Sequence, residues 1–258
     1  MLRIIDDRTG QPVQAAPARR GLTRIEAHPP GSGTADLRVL LVADLLTRAL
    51  ELGGTPVWSL ATGGYRQAEL RAAATALGMR PFEEGHELAG GLGETQTVHV
   101  VAVDGAMPER GVVVAVAPVL GTDSIRDLPV ARGADGADGV PPDPHADPAV
   151  LRLVLLTTRR DAPVRVDPGE LDRAGRTLAH WRRAVALWAR QPSRPIPEEV
   201  RGRLRDAWED NLDVTEVLDV LNRVAEASDV PDGARFETFA FADRLLGLDL
   251  VRDVGSYG

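Results

Sequence analysis

The fold is decided by residues 22–60, which read LTRIEAHPPGSGTADLRVLLVADLLTRALELGGTPVWSL. The first six of these residues predict a strand, and the proline- and glycine-rich segment that follows ends it. Leucines recur at four-residue spacing from Leu37, which predicts a helix with Asp36 as its N-cap and Gly53-Gly54 at its end. Thr55 to Leu60 predicts a second strand. Because parallel neighbours need a crossover connection, this strand–helix–strand unit predicts a parallel sheet.

The flanking segments extend this pattern. A strand or hairpin is predicted at Leu2–Ile5, before a polar turn at Arg8-Thr9-Gly10. A helix is predicted at Tyr65–Leu77, and valine-rich strands are predicted at Thr95–Val103 and Gly111–Ala117. These elements predict an α/β domain over residues 1–130.

The rest of the chain has a different character. Residues 131–146 are mostly Gly, Pro, Asp and Ala, a composition typical of a flexible loop. Capping signals at Asp147, Asp167 and Asp213 then open successive helices, and a last helix stops at Gly247. Apolar residues alternate at three and four positions along these helices, which indicates that they pack against one another. We therefore predict an α-helical bundle over residues 147–258.

Composition excludes several chemistries. The chain has no cysteine, which rules out disulfides, thiolate nucleophiles and cysteine-ligated zinc. It also has no lysine, which removes Schiff-base chemistry, although arginine still binds phosphate. The net charge of -8 disfavours unaided nucleic-acid binding. No apolar run is long enough to span a bilayer and no secretory signal precedes the first strand, so we expect a soluble cytoplasmic protein with no membrane partner.

Several segments resemble cysteinyl-tRNA synthetases, in the order of that family. They are residues 2–25, 38–46, 147–158, 208–213 and 242–248. The resemblance implies a Rossmann-like (HUP) domain followed by a helical bundle with stem-contact and DALR-like helices. It also implies that the anticodon-binding extension is absent, as in the related ligase that joins cysteine to glucosaminyl-inositol in mycothiol synthesis.

Both signature motifs of that family are altered in this chain. The HIGH position reads Gly33-Thr34-Ala35-Asp36, so both histidines are lost and Asp36 brings a negative charge to the place where phosphates would bind. The KMSKS position reads Ala115-Val116-Ala117-Pro118-Val119, without the lysines that stabilise charge developing on the phosphates. The resemblance therefore implies a degenerate paralogue, and we assign no catalytic residue.

Five residues are candidates for a remaining ligand pocket: His99, Asp104, Arg38, Thr34 and Arg152. His99 lies on the predicted strand Thr95–Val103 and Asp104 directly follows it. The two can line a residual amino-acid pocket, or His99 can be an ordinary buried strand histidine. Arg38 and Arg152 can face phosphates, or they can be solvated or paired on their helices. Thr34 lies in the altered HIGH position.

A metal site is not expected from the sequence. His28 stands where the resemblance places the first zinc-ligating cysteine, and histidine binds zinc, but one histidine does not make a site. We therefore expect neither zinc nor another required cofactor, while ATP binding stays open.

The first functional hypothesis is a protein without synthetase activity that binds a protein partner or a small aminoacyl ligand; tRNA is disfavoured by the net charge. The alternative is an active ATP-dependent ligase that forms an aminoacyl-adenylate, with arginines replacing the lost lysines, and transfers the amino acid to tRNA or a small amine. A third hypothesis is a subunit of a larger complex that docks through the valine-rich sheet or an exposed edge.

Overall fold

The computed structural model describes residues 1–17, 22–31, 33–63, 68–84, 96–121 and 147–255. The strands are β1 (Arg3–Asp6), β2 (Gln11–Gln14), β3 (Thr23–His28), β4 (Val57–Ala61), β5 (Glu83–Glu84), β6 (Gln96–Ala102), β7 (Val112–Val116), β8 (Val119–Leu120) and β9 (Val164–Arg165). The helices are α1 (Thr34–Leu52), α2 (Ala68–Ala76), α3 (Pro148–Leu156), α4 (Pro168–Trp188), α5 (Glu198–Glu209), α6 (Val214–Glu226) and α7 (Asp232–Leu246). The predicted loop at 131–146 lies outside the described residues.

The central sheet confirms the predicted Rossmann-like α/β class. Its five strands are all parallel and run in the order β5-β4-β3-β6-β7. From β3 the chain adds β4 and β5 on one side, and it then returns to add β6 and β7 on the other. The strand order therefore reverses between β3 and β6. In doubly wound sheets, ligands bind beside the carboxyl ends of the strands at this reversal.

Helix α1 joins the sheet to the later helices. It packs on β3, β4 and β6, while α2 and α7 contact its other sides. Ile25 of β3, Leu41 of α1, Val154 of α3 and Leu245 of α7 belong to one buried apolar cluster. The helices after residue 147 therefore share a core with the sheet. Of the helices in the described part of the chain, none is both long and apolar enough to cross a membrane.

Most predicted helix ends are confirmed by their hydrogen bonds. The carboxylates of Asp147, Asp167 and Asp213 accept from the backbone N–H groups of residues 149, 170 and 216 at 3.0–3.1 Å. Gly247 ends α7 in a left-handed conformation with φ 61°. The prediction for Asp36 is wrong: α1 begins at Thr34, so Asp36 lies within its first turn. Helix α5 was not predicted as a separate element, because its sequence is mostly charged and has few apolar residues.

The outer edge of β7 is covered by the β1–β2 hairpin. Asp7 N–H donates to the carbonyl of Val113 at 2.8 Å, and the Asp6 carboxylate accepts from the N–H of Val113 at 3.1 Å. The Asp7 carboxylate accepts from the N–H of Ala115 at 2.7 Å. These contacts use the backbone N–H and carbonyl groups at the outer edge of β7. Little of this edge is therefore left for a further strand to pair with.

Substitution of Asp147 should destabilise the protein at neutral pH. Burial raises the pKa of this carboxyl, but hydrogen bonds from Arg182 and the Ala149 N–H and the nearby charge of Arg252 outweigh it and lower the pKa below its usual value. A carboxyl group whose pKa is lower in the folded than in the unfolded state stabilises the fold. The stabilisation is complete at pH values above the unfolded-state pKa of about 4 and is lost as the pH falls through the folded-state pKa. Asp147→Ala should cost about 1–3 kcal/mol at pH 7 in urea denaturation.

The same series should include Glu198→Ala as a control, since the Glu198 side chain is 88% exposed. That variant should stay within about 0.5 kcal/mol of wild type. The cost of Asp147→Ala should shrink towards pH 3; an unchanged cost at acidic pH would contradict the electrostatic explanation.

Candidate functional site

The two faces of the sheet have different roles. Along β3, Thr23, Ile25 and Ala27 are buried beneath α1, so alternation points Glu26 and His28 to the opposite face. On β6, Val98 and Val100 belong to the α1-side core, which places His99 on the same face as Glu26. Glu26 and His99 are directly opposite each other in the β3–β6 register. Three side chains with nitrogen or oxygen ligands thus meet at the reversal of strand order.

The two imidazoles are in direct contact. His28 Nε2 lies 2.9 Å from His99 Nδ1, and His99 Nδ1 lies 3.7 Å from an oxygen of Glu26. The other ring nitrogen of His28 lies 3.0 Å from the hydroxyl of Thr62, which follows β4. The His99 ring also makes a hydrogen bond to the backbone of Arg110, before β7. Each imidazole is therefore oriented by a partner outside the cluster.

Burial determines the charge state of both histidines. It lowers the pKa of His28 and of His99 below the usual value, although the carboxylate of Glu26 opposes the shift at both rings. Both imidazoles are consequently neutral at neutral pH. A neutral imidazole has one N–H and one lone pair, so one of the two rings can donate to the other across the His28–His99 contact.

Gly111 makes room for this arrangement, and sequence analysis missed it. Its φ is +82°, and a Cβ there would lie 2.7 Å from the carbonyl oxygen of Thr97 and 3.0 Å from the imidazole of His99. Any side chain at this position would displace the ring. The only signal in the sequence was a glycine at the start of a predicted strand, and glycine is common in such turns whether or not a site lies beside them.

Residues that could hold a metal ion are therefore Glu26, His28 and His99. One ligand atom from each lies within 4.8 Å of the others. The expectation that zinc does not bind relied on His28 being alone, and the structure brings two further side chains that can bind a metal, His99 and Glu26, close to it. Both histidines are candidates in the sequence, but nothing in the sequence connects them or points to Glu26.

The amino end of α1 lies at the same edge of the sheet, just after β3. There the Asp36 carboxylate accepts hydrogen bonds from the backbone N–H groups of Gly31 at 2.8 Å and Gly33 at 3.1 Å. Thr34 is buried in the first turn. Free N–H groups at a helix N-terminus attract anions. In this protein the Asp36 carboxylate already binds two backbone N–H groups next to the place where such an anion would bind.

The candidate arginines are buried among carbonyl oxygens. Arg38 is 1% exposed, and its guanidinium donates to carbonyls that follow β7 and α3, namely those of Ala117, Pro118, Thr158, Arg159 and Ala162. Burial lowers the pKa of Arg38 to about 10, so the group is still charged at neutral pH. Arg152 is fully buried and donates to Asp44 and to two carbonyls. Both guanidinium groups thus hold the fold together.

Asp104 is separate from these groups. It is exposed in the turn after β6 and is not part of the His28–His99–Glu26 cluster. The structure brings His99 together with His28, for which no metal site was predicted, and it leaves Arg38 and Arg152 in the core.

The fold and these contacts define a class: a Rossmann-like α/β protein with a histidine–carboxylate cluster at its topological switch point and a set of helices packed on the same core. A scan against protein-family models and a search of curated proteins give no match for this chain.

Proposed function

We propose that this protein is a synthetase-like binding module that does not form aminoacyl-adenylates. The observation that carries the proposal is the Asp36 carboxylate at the amino end of α1, hydrogen-bonded to the N–H groups of Gly31 and Gly33. A nucleotide phosphate approaching this helix end would meet a like charge, and the two donors would have to give up an existing partner.

The positions of Arg38 and Arg152 support the same proposal. An active ligase without lysine needs arginines that reach the phosphates during adenylate formation. The two arginines best placed in the sequence for that role are both less than 2% exposed and are fully engaged by the fold. Moving either one to a ligand would leave buried carbonyl oxygens without donors, at a cost of about 1–3 kcal/mol for each.

The partner that we propose is a protein or a small aminoacyl ligand. The net charge of -8 argues against a polyanion such as tRNA. For a small ligand, the switch point offers oriented polar groups in the form of the histidines and Glu26, which suit the amino or polar side group of such a molecule.

ATP binding and adenylation test this proposal. We expect no saturable change in melting temperature on titration with Mg²⁺–ATP, and ATP–pyrophosphate exchange at background with every standard amino acid. An active synthetase assayed in parallel serves as the positive control. A saturable thermal shift with ATP, or exchange above background with any amino acid, would refute the proposal and favour the ligase.

The class of partner is tested by a second titration, with a non-hydrolysable cysteinyl-adenylate analogue and with cysteine. Native-state ligands raise the melting temperature by mass action, so a saturable rise would identify a small aminoacyl ligand. If neither compound shifts the transition, a protein partner is the expected alternative.

A further inference from the structure

We infer that Glu26, His28 and His99 form a binding site for one divalent transition-metal ion of the zinc class, with a fourth coordination position open to an exogenous ligand. The inference goes beyond the proposed function and does not depend on it. It starts from the geometry of three side chains that the β3–β6 register brings to one face of the sheet.

The distances suit such an ion. Two ligand atoms bound tetrahedrally to zinc at about 2.1 Å lie roughly 3.4 Å from each other. In the cluster, the two imidazole nitrogens are 2.9 Å apart, and the carboxylate oxygen is 3.7 Å from His99 Nδ1. These values bracket the ideal, and the third separation, between the Glu26 and His28 ligand atoms, is no more than 4.8 Å.

The chemistry of the donors is also suitable. Zinc binds imidazole nitrogens and carboxylate oxygens, and the cluster supplies both kinds of ligand. Two imidazoles and one carboxylate are a ligand set of the kind that leaves further coordination positions open. A set of this kind favours zinc, cobalt or nickel over magnesium and calcium, which prefer oxygen ligands alone.

The groups around the cluster resemble the supports of a metal site. Metal-ligating histidines usually hydrogen-bond through the ring nitrogen that does not face the metal. His28 makes this contact with the Thr62 hydroxyl at 3.0 Å, and His99 makes it with the Arg110 backbone. The absence of a side chain at Gly111 lets the His99 ring occupy its position.

Without a metal ion, the polar groups of the cluster have partners within the protein. One imidazole N–H can donate to the other ring, and Arg24 lies 3.5 Å from the Glu26 carboxylate as its positive partner. When an ion binds, the proton between the two rings must move to the other nitrogen of its own imidazole, which for His28 faces the Thr62 hydroxyl. The ion then supplies the positive charge beside Glu26 that Arg24 supplies without it.

The test is metal binding by the full chain after treatment with a chelator and dialysis. Isothermal titration with Zn²⁺ at pH 7.5 is expected to give one site per chain, and Co²⁺ is expected to give the visible absorption bands of a low-symmetry, four-coordinate site. Mg²⁺ and Ca²⁺ should give no binding. No saturable binding of Zn²⁺ or Co²⁺ by the wild-type chain would overturn the inference.

Four variants locate the site. Glu26→Gln and His28→Gln remove a ligand with little change in size, and Thr62→Val removes only the partner that orients His28. Thr62→Val should weaken Zn²⁺ binding by about 10–100-fold, and the two ligand variants by more. His180→Gln is the matched control because His180 is exposed on α4, and it should bind like wild type.

Near-UV circular dichroism before titration establishes that each variant is folded. Wild-type affinity in both Glu26→Gln and His28→Gln would overturn the inference, because the ion would then be bound elsewhere. Failure here is distinguishable from failure of the proposed function, since ATP–pyrophosphate exchange is measured separately and is expected at background whether or not zinc binds.

Discussion

Arg152→Met is expected to lower the free energy of unfolding by about 3–5 kcal/mol. It takes one charged donor from the buried Asp44 carboxylate, which keeps Arg48 at 2.9 Å, and it leaves two buried carbonyls without their donor. The Arg152 and Asp44 side chains are both 0% exposed and lie 2.8 Å apart. Arg152 also donates to the carbonyl of Leu77, which follows α2, at 2.9 Å, and to that of Leu246, at the end of α7, at 2.5 Å. One guanidinium therefore connects α1, α3, the end of α2 and the end of α7.

Urea denaturation at pH 7 measures this effect. Arg173→Met on α4 is the control, since its side chain is 66% exposed and should change stability by no more than about 0.5 kcal/mol. Asp44→Ala should cost a similar amount to Arg152→Met, and the double variant should cost less than the sum of the two. Equal stability of Arg152→Met and wild type would refute the structural role.

Arg38→Met is expected to have the second large effect, with a loss of at least about 3 kcal/mol. Its guanidinium donates to carbonyl oxygens of two segments, one after β7 and one after α3. The distances are 2.7 Å for Ala117, 2.8 Å for Ala162 and 2.9 Å for Arg159. Without it, these oxygens lose their donor, and the Ala117 bond is fully buried. Since a planar fork reaches acceptors that one ammonium group cannot reach together, Arg38→Lys should restore only part of the stability.

The same denaturation series measures Arg38→Met and Arg38→Lys, with the exposed Arg176→Met on α4 as control. A lysine variant as stable as wild type would show that charge alone matters, and would contradict the role of the fork.

These results also bear on the ligase hypothesis. Loss of turnover on substitution of Arg38 or Arg152 would not identify a phosphate contact, because either change is expected to destabilise the fold; binding of ATP must be measured directly.

The features that were predictable from the sequence depend on neighbours along the chain. Asp147, Asp167 and Asp213 cap helices that begin at the next residue, and each bonds an N–H two or three residues ahead. Gly247 ends α7 because it adopts a left-handed conformation at little cost. The prediction of Asp36 as the N-cap of α1 was wrong although it also concerned neighbouring residues. Both glycine and aspartate are common N-caps, and the path of the chain places Gly33, not Asp36, at that position.

Sequence by itself determined the strand–helix–strand unit at residues 22–60, the parallel sheet and the helical character of residues after 147, because hydrophobic period and turn chemistry act over a few residues. Tertiary structure alone decided what the polar side chains do. His28 and His99 are 71 residues apart, and Arg38 reaches carbonyls up to 124 residues away. Such contacts depend on strand order and register, which no short stretch of sequence specifies. For this reason two arginines predicted as candidate phosphate contacts belong to the core, and a histidine that stood alone in the sequence has two potential partners in metal binding.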